Sequence, residues 1–147
     1  MKKNTFNRFT KSLILGVFAI MLTATFSSCS KNIAFQTSTI VPAARGEVKI
    51  TKDNNKNYVI NIKLENLAEV KRLESSKQAY VVWMETDDSM VKNIGQIKSD
   101  SKFLSSKLKA NFETVTPMKP TKIFITAEKD PAVQYPDKEI IIGTRNF

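Results

Sequence analysis

Histidine is absent from this chain, cysteine occurs once, and glycine occurs only four times in 147 residues. Without an imidazole no Ser-His or Cys-His nucleophile can form, and one thiol allows neither an internal disulfide nor a Cys/His zinc site. The glycines form no phosphate-binding loop. Carboxylate-pair and Ser-Lys mechanisms survive this filter, but no recognisable motif surrounds the residues they would need. We therefore expect a protein that is not an enzyme and has no metal or cofactor.

Residues 1–28 have the three parts of an export signal. Residues 1–11 contain four basic side chains and no acidic one, and an apolar stretch (LILGVFAIMLTATF) follows at 13–26. This stretch is shorter than the ~20 residues that a membrane-spanning helix needs. The pattern therefore favours a cleaved signal peptide over a retained transmembrane anchor.

Cys29 stands directly behind Ser27 and Ser28. This ending resembles the loose lipobox of Bacteroidetes lipoproteins, with Phe26 in place of the usual leucine. The resemblance implies a diacylglyceryl group on the sulfur of Cys29, cleavage before it, and a membrane anchor of several acyl chains. A plain cleaved signal is the alternative. Because residues 30–32 lack the acidic pattern of surface export, we expect the outer membrane, facing the periplasm.

The net charge of +9 does not indicate a nucleic-acid partner. The signal contributes four basic residues, and the remaining 19 basic and 14 acidic residues are interspersed, as on an ordinary solvated surface. An exported chain meets no nucleic acid. Weak attraction to anionic headgroups or glycans remains.

Alternating apolar residues predict β-strands after the signal. Residues 29–45 have no sustained period and are expected to form a flexible tether, with at most a short strand near 39–41. A single domain at 46–147 follows, with polar turns at 53–56 and 87–89 and a helical turn within 65–77. Its expected strands are 46–51, 58–64, 78–85, 91–97, 105–112, 121–128 and 139–143.

About seven short strands with short connections favour an all-β, antiparallel, immunoglobulin-like sandwich. Apolar residues on both faces of 78–85 predict a central strand, and Gly95 predicts a bulge or a close backbone approach. Trp83 is expected to be buried between the sheets, the alternative being an exposed platform for a sugar ring. Its expected neighbours are Val81, Ile60 or Ile62, and Ile123 or Ile125.

Three segments share an order with a known family: YVVWM at 80–84, IGQI at 94–97 and IFITAE at 123–128. This order resembles the extracytoplasmic domain of anti-sigma-K factors. The family's Gly-Ser-x-x-Pro-Thr segment is missing, and Asp130-Pro131 and Tyr135-Pro136 stand there. Because only a short basic start precedes Cys29, the resemblance implies an outer domain without a sigma-binding domain. It also implies a sensor or regulator that works with a separate membrane partner.

The candidate ligand contacts are Tyr135, in a proline-flanked loop, and Lys119 and Lys122. With Lys107 and Lys109, these lysines form either a basic patch for headgroups or glycans or a solvated strand face. Asp87 and Asp88 suit either a calcium site or a turn, and the turn is favoured. Glu85 with Asp88 or Asp100 would be the acid–base pair of a glycan-cleaving enzyme.

These observations predict a non-enzymatic lipoprotein of the cell envelope, attached to a membrane through its lipid. We expect it to act as a binding or accessory module for an envelope protein or a glycan. A sensor or regulator related to the outer domain of anti-sigma factors is the first alternative, and a glycan-active enzyme is the second. The sequence sets no oligomeric state.

Overall fold

The computed structural model describes residues 30–73, 76–97 and 109–147. In this part, eight strands form two four-stranded antiparallel sheets, which confirms the predicted all-β sandwich with one strand more than expected. The predicted signal peptide and Cys29 lie outside the described residues. The elements are β1 (Lys31–Ala34), β2 (Arg45–Lys52), β3 (Tyr58–Glu65), a single helical turn α1 (Val70–Leu73), β4 (Ala79–Thr86), β5 (Val91–Ile97), β6 (Lys109–Thr116), β7 (Pro120–Glu128) and β8 (Ile140–Gly143).

The strand order gives the sandwich its immunoglobulin-like topology. Sheet A has the order β1-β2-β3-β6, and sheet B has the order β5-β4-β7-β8. The hairpins β2–β3 and β4–β5 each stay in one sheet, whereas the chain changes sheet between β3 and β4, β5 and β6, and β6 and β7. The pairing of β3 with β6 and of β4 with β7 is the Greek-key exchange of this fold.

The core lies between the sheets and follows from alternation along each strand. Side chains at every second position of β2, β3, β4 and β7 point inward, since successive residues of a strand face opposite sides. The fully buried members from the two sheets are Val48, Ile60, Ile62, Leu64, Val82, Met84, Ile123 and Ile125. This confirms the alternation that predicted β2, β3 and β7, and β4 is a central strand of sheet B, as its apolar residues on both faces predicted.

The β2–β3 turn is closed by Asp53. Its Oδ1 accepts hydrogen bonds from the backbone N–H groups of Asn55 and Asn57, each at 2.8 Å, and its Oδ2 accepts one from Asn57 Nδ2 at 3.1 Å. Desolvation alone raises the pKa of Asp53, but the hydrogen bonds from Asn57 and Asn55 outweigh it and hold the pKa below its usual range. The carboxylate therefore stabilises the turn predicted here.

Gly95 lies at a bulge and at a close approach, as predicted. Val82 pairs with Gly95 and Trp83 with Asn93, so β5 carries one extra residue between these two pairs. The φ of Gly95 is +136°, and a Cβ added there would lie 2.9 Å from Cε2 of Phe112 on β6. A residue with a Cβ would be strained at this φ and would also press against the ring of Phe112, so this position requires glycine.

The segment predicted to be a flexible tether is instead part of the sandwich from Lys31 onward. Strand β1 pairs with β2 at the edge of sheet A. The chain then crosses to sheet B, where Gln36 N–H donates to the carbonyl of Gly143 at 2.8 Å and the buried hydroxyl of Ser38 donates to the carbonyl of Ile141. This crossing closes one side of the sandwich. Residues 39–41 form no strand.

Trp83 is buried as predicted, with 0% of its surface exposed, but it does not lie between the sheets. On β4, Val82 and Met84 point into the core, so Trp83 points to the outer face of sheet B. The expected contacts with the isoleucines of the core were therefore wrong, and only Val81 remains as a neighbour. The outer cluster consists of Val81, Trp83 and Phe124, with Val133 packed against it.

Candidate functional site

At one end of the sandwich the sheets leave an open cavity of about 480 Å³. The residues that line it are Lys31, Ile50, Thr51, Lys52, Tyr58, Lys119, Pro120 and Phe147. We call this cavity the lysine mouth. It lies where β1 and β3 begin, where β2 ends, and immediately before β7.

Strand register explains why lysines surround this opening. Lys52 continues the inward-facing series of Val48 and Ile50 on β2, and Tyr58 is its partner on β3. Lys31 is paired with Ile50, so it too stands at an inward-facing position. At the last position of a strand the core is open to water, so a lysine there can cover apolar surface with its stem and keep its amine solvated.

Two of the three amines lie over aromatic rings. Lys31 Nζ is 5.0 Å from the ring centroid of Phe147, and Lys52 Nζ is 5.0 Å from that of Tyr58. Such cation–π contacts hold the lysine stems against the rings. Within the described residues, Lys31, Lys52 and Lys119 form no ion pair with a carboxylate. Among the described residues, the mouth therefore combines an apolar floor with three lysine amines that are not ion-paired.

The loop 129–139 forms a second surface by folding back over the outer face of sheet B. Asn93 Nδ2 donates to the carbonyls of Pro131 and Val133, each at 2.9 Å. Its Oδ1 accepts from Gly95 N–H at 3.0 Å, which fixes the amide on β5. The amide thus holds Val133 over the outer cluster that contains Trp83.

The far end of the loop is held by a buried polar network. Trp83 Nε1 donates to Thr126 Oγ1 at 2.8 Å, and this hydroxyl donates to Glu128 Oε1 at 2.5 Å. The same carboxylate oxygen accepts from the backbone N–H of Asp137 at 2.8 Å. Glu128 is buried, and its carboxylate needs hydrogen-bond donors there. The hydroxyl of Thr126 and the N–H of Asp137 supply them.

Asp137 also pairs with Lys77, whose Nζ lies 2.5 Å from Asp137 Oδ2. This hydrogen bond, together with those from the N–H groups of Glu139 and Lys138, holds the pKa of Asp137 below its usual range. The loop is consequently fixed on both sides of Tyr135. The tyrosine itself is 82% exposed.

The three predicted contact residues do not form one site. Lys119 lines the lysine mouth. Lys122 is half-buried on the outer face of β7, where its Nζ lies 5.8 Å from the ring centroid of Phe124. Tyr135 stands on the loop 129–139. Of the other predicted patch members, Lys109 pairs with Glu65 at 3.5 Å, and Lys107 lies outside the described residues.

The acidic residues considered for catalysis or calcium are found at a turn and a strand end. Asp87 is exposed, and Asp88 accepts a hydrogen bond from the hydroxyl of Thr86, so both belong to the predicted β4–β5 turn. Glu85 is half-buried at the end of β4, and Asp100 lies outside the described residues. Among residues 30–73, 76–97 and 109–147, no three acidic, cysteine or histidine side chains are grouped as metal ligands.

Sequence reasoning missed Lys31, Lys52, Tyr58 and Phe147 as members of one cavity. The signal for two of them was present, because the alternation that placed Ile50 and Ile60 inside also places Lys52 and Tyr58 on the inner face. The approach of Phe147 depends on a long-range contact, in which its N–H donates to the carbonyl of Thr121 at 2.9 Å. No local pattern encodes that contact.

The fold therefore defines the class of this protein as an immunoglobulin-like β-sandwich. Comparison with protein-family profiles, curated proteins and solved structures gives no match for the chain. The resemblance to the outer domain of anti-sigma-K factors accordingly stays a prediction. No helix in the described part is long and apolar enough to cross a membrane.

Proposed function

We propose that this protein is a lipid-anchored binding module of the cell envelope, attached through Cys29, and that it contacts an envelope protein or a glycan with the loop 129–139. The observation that carries the proposal is the exposure of Tyr135 on a loop that is otherwise held in place. An aromatic ring on a fixed loop gives a large contact area, and little conformational entropy is lost when it binds.

The position of the anchor supports this assignment. Cys29 precedes Lys31 by two residues, so its Cα is at most about 7 Å from that of Lys31. Strand β7 begins beside the lysine mouth and extends nine residues to Glu128, a length of about 30 Å. The loop 129–139 follows this far end. A lipid on Cys29 therefore leaves Tyr135 in the membrane-distal half of the molecule, where a partner can reach it.

The outer face of sheet B, over which the loop 129–139 folds, is not uniformly polar. Ile140 begins β8 and pairs with Thr126, which places it on the outer face of sheet B, and it is also exposed. Exposed apolar and aromatic side chains on one face are typical of contact surfaces, although single ones are common. They support a protein or glycan partner rather than a strongly charged one.

Photo-crosslinking in intact cells tests the proposal. The full chain carries benzoylphenylalanine in place of Tyr135, and a matched chain carries it in place of Lys63, an exposed residue on the outer face of sheet A. We expect a discrete crosslinked species from position 135 and none from position 63. No adduct at position 135, or the same adducts at both positions, would contradict the proposal.

A further inference from the structure

We propose that the lysine mouth docks onto the anionic phospholipid headgroups of the membrane that holds Cys29. This inference rests on the lipid anchor of the proposed function and assigns an occupant to the cavity. The sandwich would then contact the bilayer through the end that carries the lysine mouth, rather than moving freely about its anchor.

The charge of the mouth fits a phosphate-bearing headgroup. Lys31, Lys52 and Lys119 line it, and no acidic side chain does. An ammonium group binds phosphate as a point charge, and three of them around one cavity favour the entry of an anion. Since none of the three forms an ion pair within the described residues, docking breaks no existing pair.

Acidic side chains at the same end stand outside the cavity. Asp53 is directed into its own turn by the hydrogen bonds from Asn55 and Asn57. Asp87 and Asp88 belong to the β4–β5 turn and line no part of the mouth. They reduce the net positive charge of this end, but none of them lines the cavity.

The shape and the apolar lining fit a lipid better than a free inorganic anion. A volume of about 480 Å³ is large enough for a headgroup with its glycerol. Ile50 and Phe147 give it an apolar floor that phosphate alone would not use. Met90 and Val91, in and after the neighbouring β4–β5 turn, are exposed apolar residues at the same end. A membrane interface accommodates both the apolar floor of the cavity and these exposed apolar side chains.

The proximity of the anchor selects the membrane as the source of that headgroup. Lys31 contributes directly to the mouth and follows Cys29 by two residues. An acylated Cys29 therefore keeps the mouth within several ångströms of the bilayer surface, where the local concentration of headgroups far exceeds that of any soluble anion. An anionic surface attracts each nearby lysine with an energy that corresponds to about a fivefold change in equilibrium constant.

A fluorescence experiment on the lipid-anchored protein tests this docking. The protein, isolated from membranes with Asn54→Cys in the β2–β3 turn, is labelled with bimane and reconstituted into vesicles that carry a headgroup-level quencher. The vesicles contain phosphatidylcholine alone or with phosphatidylglycerol. We expect stronger quenching in the anionic vesicles, and weaker quenching there at high salt, which screens exposed charges. A label at Lys138→Cys, on the loop 129–139, should show no increase in quenching in the anionic vesicles.

Two triple variants of equal net charge separate the mouth from general electrostatics. Lys31→Gln, Lys52→Gln and Lys119→Gln together should lower the docking equilibrium by on the order of 100-fold. The control variant changes three exposed lysines elsewhere, Lys63→Gln, Lys129→Gln and Lys138→Gln. It should lower the docking equilibrium much less. Circular dichroism checks that both variants are folded.

The results of flotation and quenching separate failure of the docking from failure of the lipid anchor at Cys29. Flotation of the protein with vesicles, combined with quenching that is independent of vesicle charge or lost equally in both triple variants, would overturn the docking alone. A Cys29 thiol that reacts with bimane, in a protein that fails to float, would overturn both the anchor and the docking.

Discussion

Trp83 lies on the outer face of sheet B beneath the loop 129–139, where it is one of several side chains that join the sheet to the loop. It stacks beside Phe124, with 6.4 Å between ring centroids, and donates to Thr126. Trp83→Ala should lower the free energy of unfolding by about 3–5 kcal/mol, a large part of the stability of a typical domain. Urea denaturation measures this loss. Tyr135→Ala, which removes an exposed ring, is the matched control and should change stability by less than about 0.5 kcal/mol.

A loss below about 1 kcal/mol for Trp83→Ala would show that the outer cluster does not stabilise the fold. Trp83→Phe is informative as well. It keeps an aromatic ring but removes the donor to Thr126, so an intermediate loss is expected.

The burial of Trp83 was predictable from the sequence, but the face on which it lies was not. Residues 80–84 are apolar at every position, so the pattern shows that both faces are covered without showing by what. The cover for Trp83 is Val133, fifty positions along the chain, and its placement depends on Asn93. The inward position of Lys52, by contrast, follows directly from the alternation along β2.

At the level of elements, the loop 129–139 is held by hydrogen bonds from Asn93 and by the contacts of Asp137 with Glu128 and Lys77. Single substitutions can remove these contacts separately. Asn93→Ala removes both amide hydrogen bonds to the loop carbonyls. We expect Val133 to lift from the outer cluster, so that iodide quenches Trp83, the only tryptophan of the chain, severalfold more strongly while the sheets remain folded. Fluorescence quenching and far-UV circular dichroism measure the two effects.

Asn61→Ala, on β3, is the control for the loss of an amide and should leave Trp83 as protected as in the unaltered protein. Equal protection of Trp83 in Asn93→Ala would mean that the loop does not depend on this amide. Global unfolding of the variant would likewise contradict a local role.

The ion pair at the far end of the loop predicts an acid-sensitive contribution to stability. Because Lys77 and the neighbouring N–H groups hold the pKa of Asp137 below its ordinary value of 3.8, the folded state favours the charged carboxylate. This contribution is fully present above the ordinary value and is lost as the pH falls through the lowered one. Asp137→Asn should therefore flatten the fall in unfolding free energy below about pH 4.

Urea titrations at several pH values measure that slope. Glu113→Gln, which removes an exposed carboxylate on the outer face of sheet A, should leave the slope closer to that of the unaltered protein. An Asp137→Asn variant that loses stability in acid as steeply as the unaltered protein would contradict the assignment.

Elements with regular alternation were predictable, and the crossing segment after β1 was not. The hairpin of β2 and β3 follows from the alternation at 46–51 and 58–64 and from the polar turn between them. Within residues 30–45, Ser38, Val41 and Ala44 are buried and three further apolar side chains pack partly against the core (Ile33, Phe35 and Ile40), but these positions do not alternate as in a strand. Their order depends on hydrogen bonds to β8, about one hundred positions away, so no local period reveals it.

For the whole molecule, the absence of a long tether changes how the protein would stand on a membrane. The first strand begins at Lys31, so a lipid at Cys29 places the lysine mouth at the bilayer and the loop with Tyr135 in the distal half. In the arrangement proposed above, the two surfaces would have separate roles, one toward the membrane and one toward a partner. Both roles depend on the acylation of Cys29.

Intact mass spectrometry of the protein purified from cell membranes tests that acylation most directly. We predict a mature chain that begins at Cys29 and carries the added mass of a diacylglyceryl group, and a Cys29→Ala chain that either keeps residues 1–28 or leaves the membrane. A mature chain with an unmodified thiol at Cys29, or unchanged membrane retention of Cys29→Ala without incorporated fatty acid, would contradict the account.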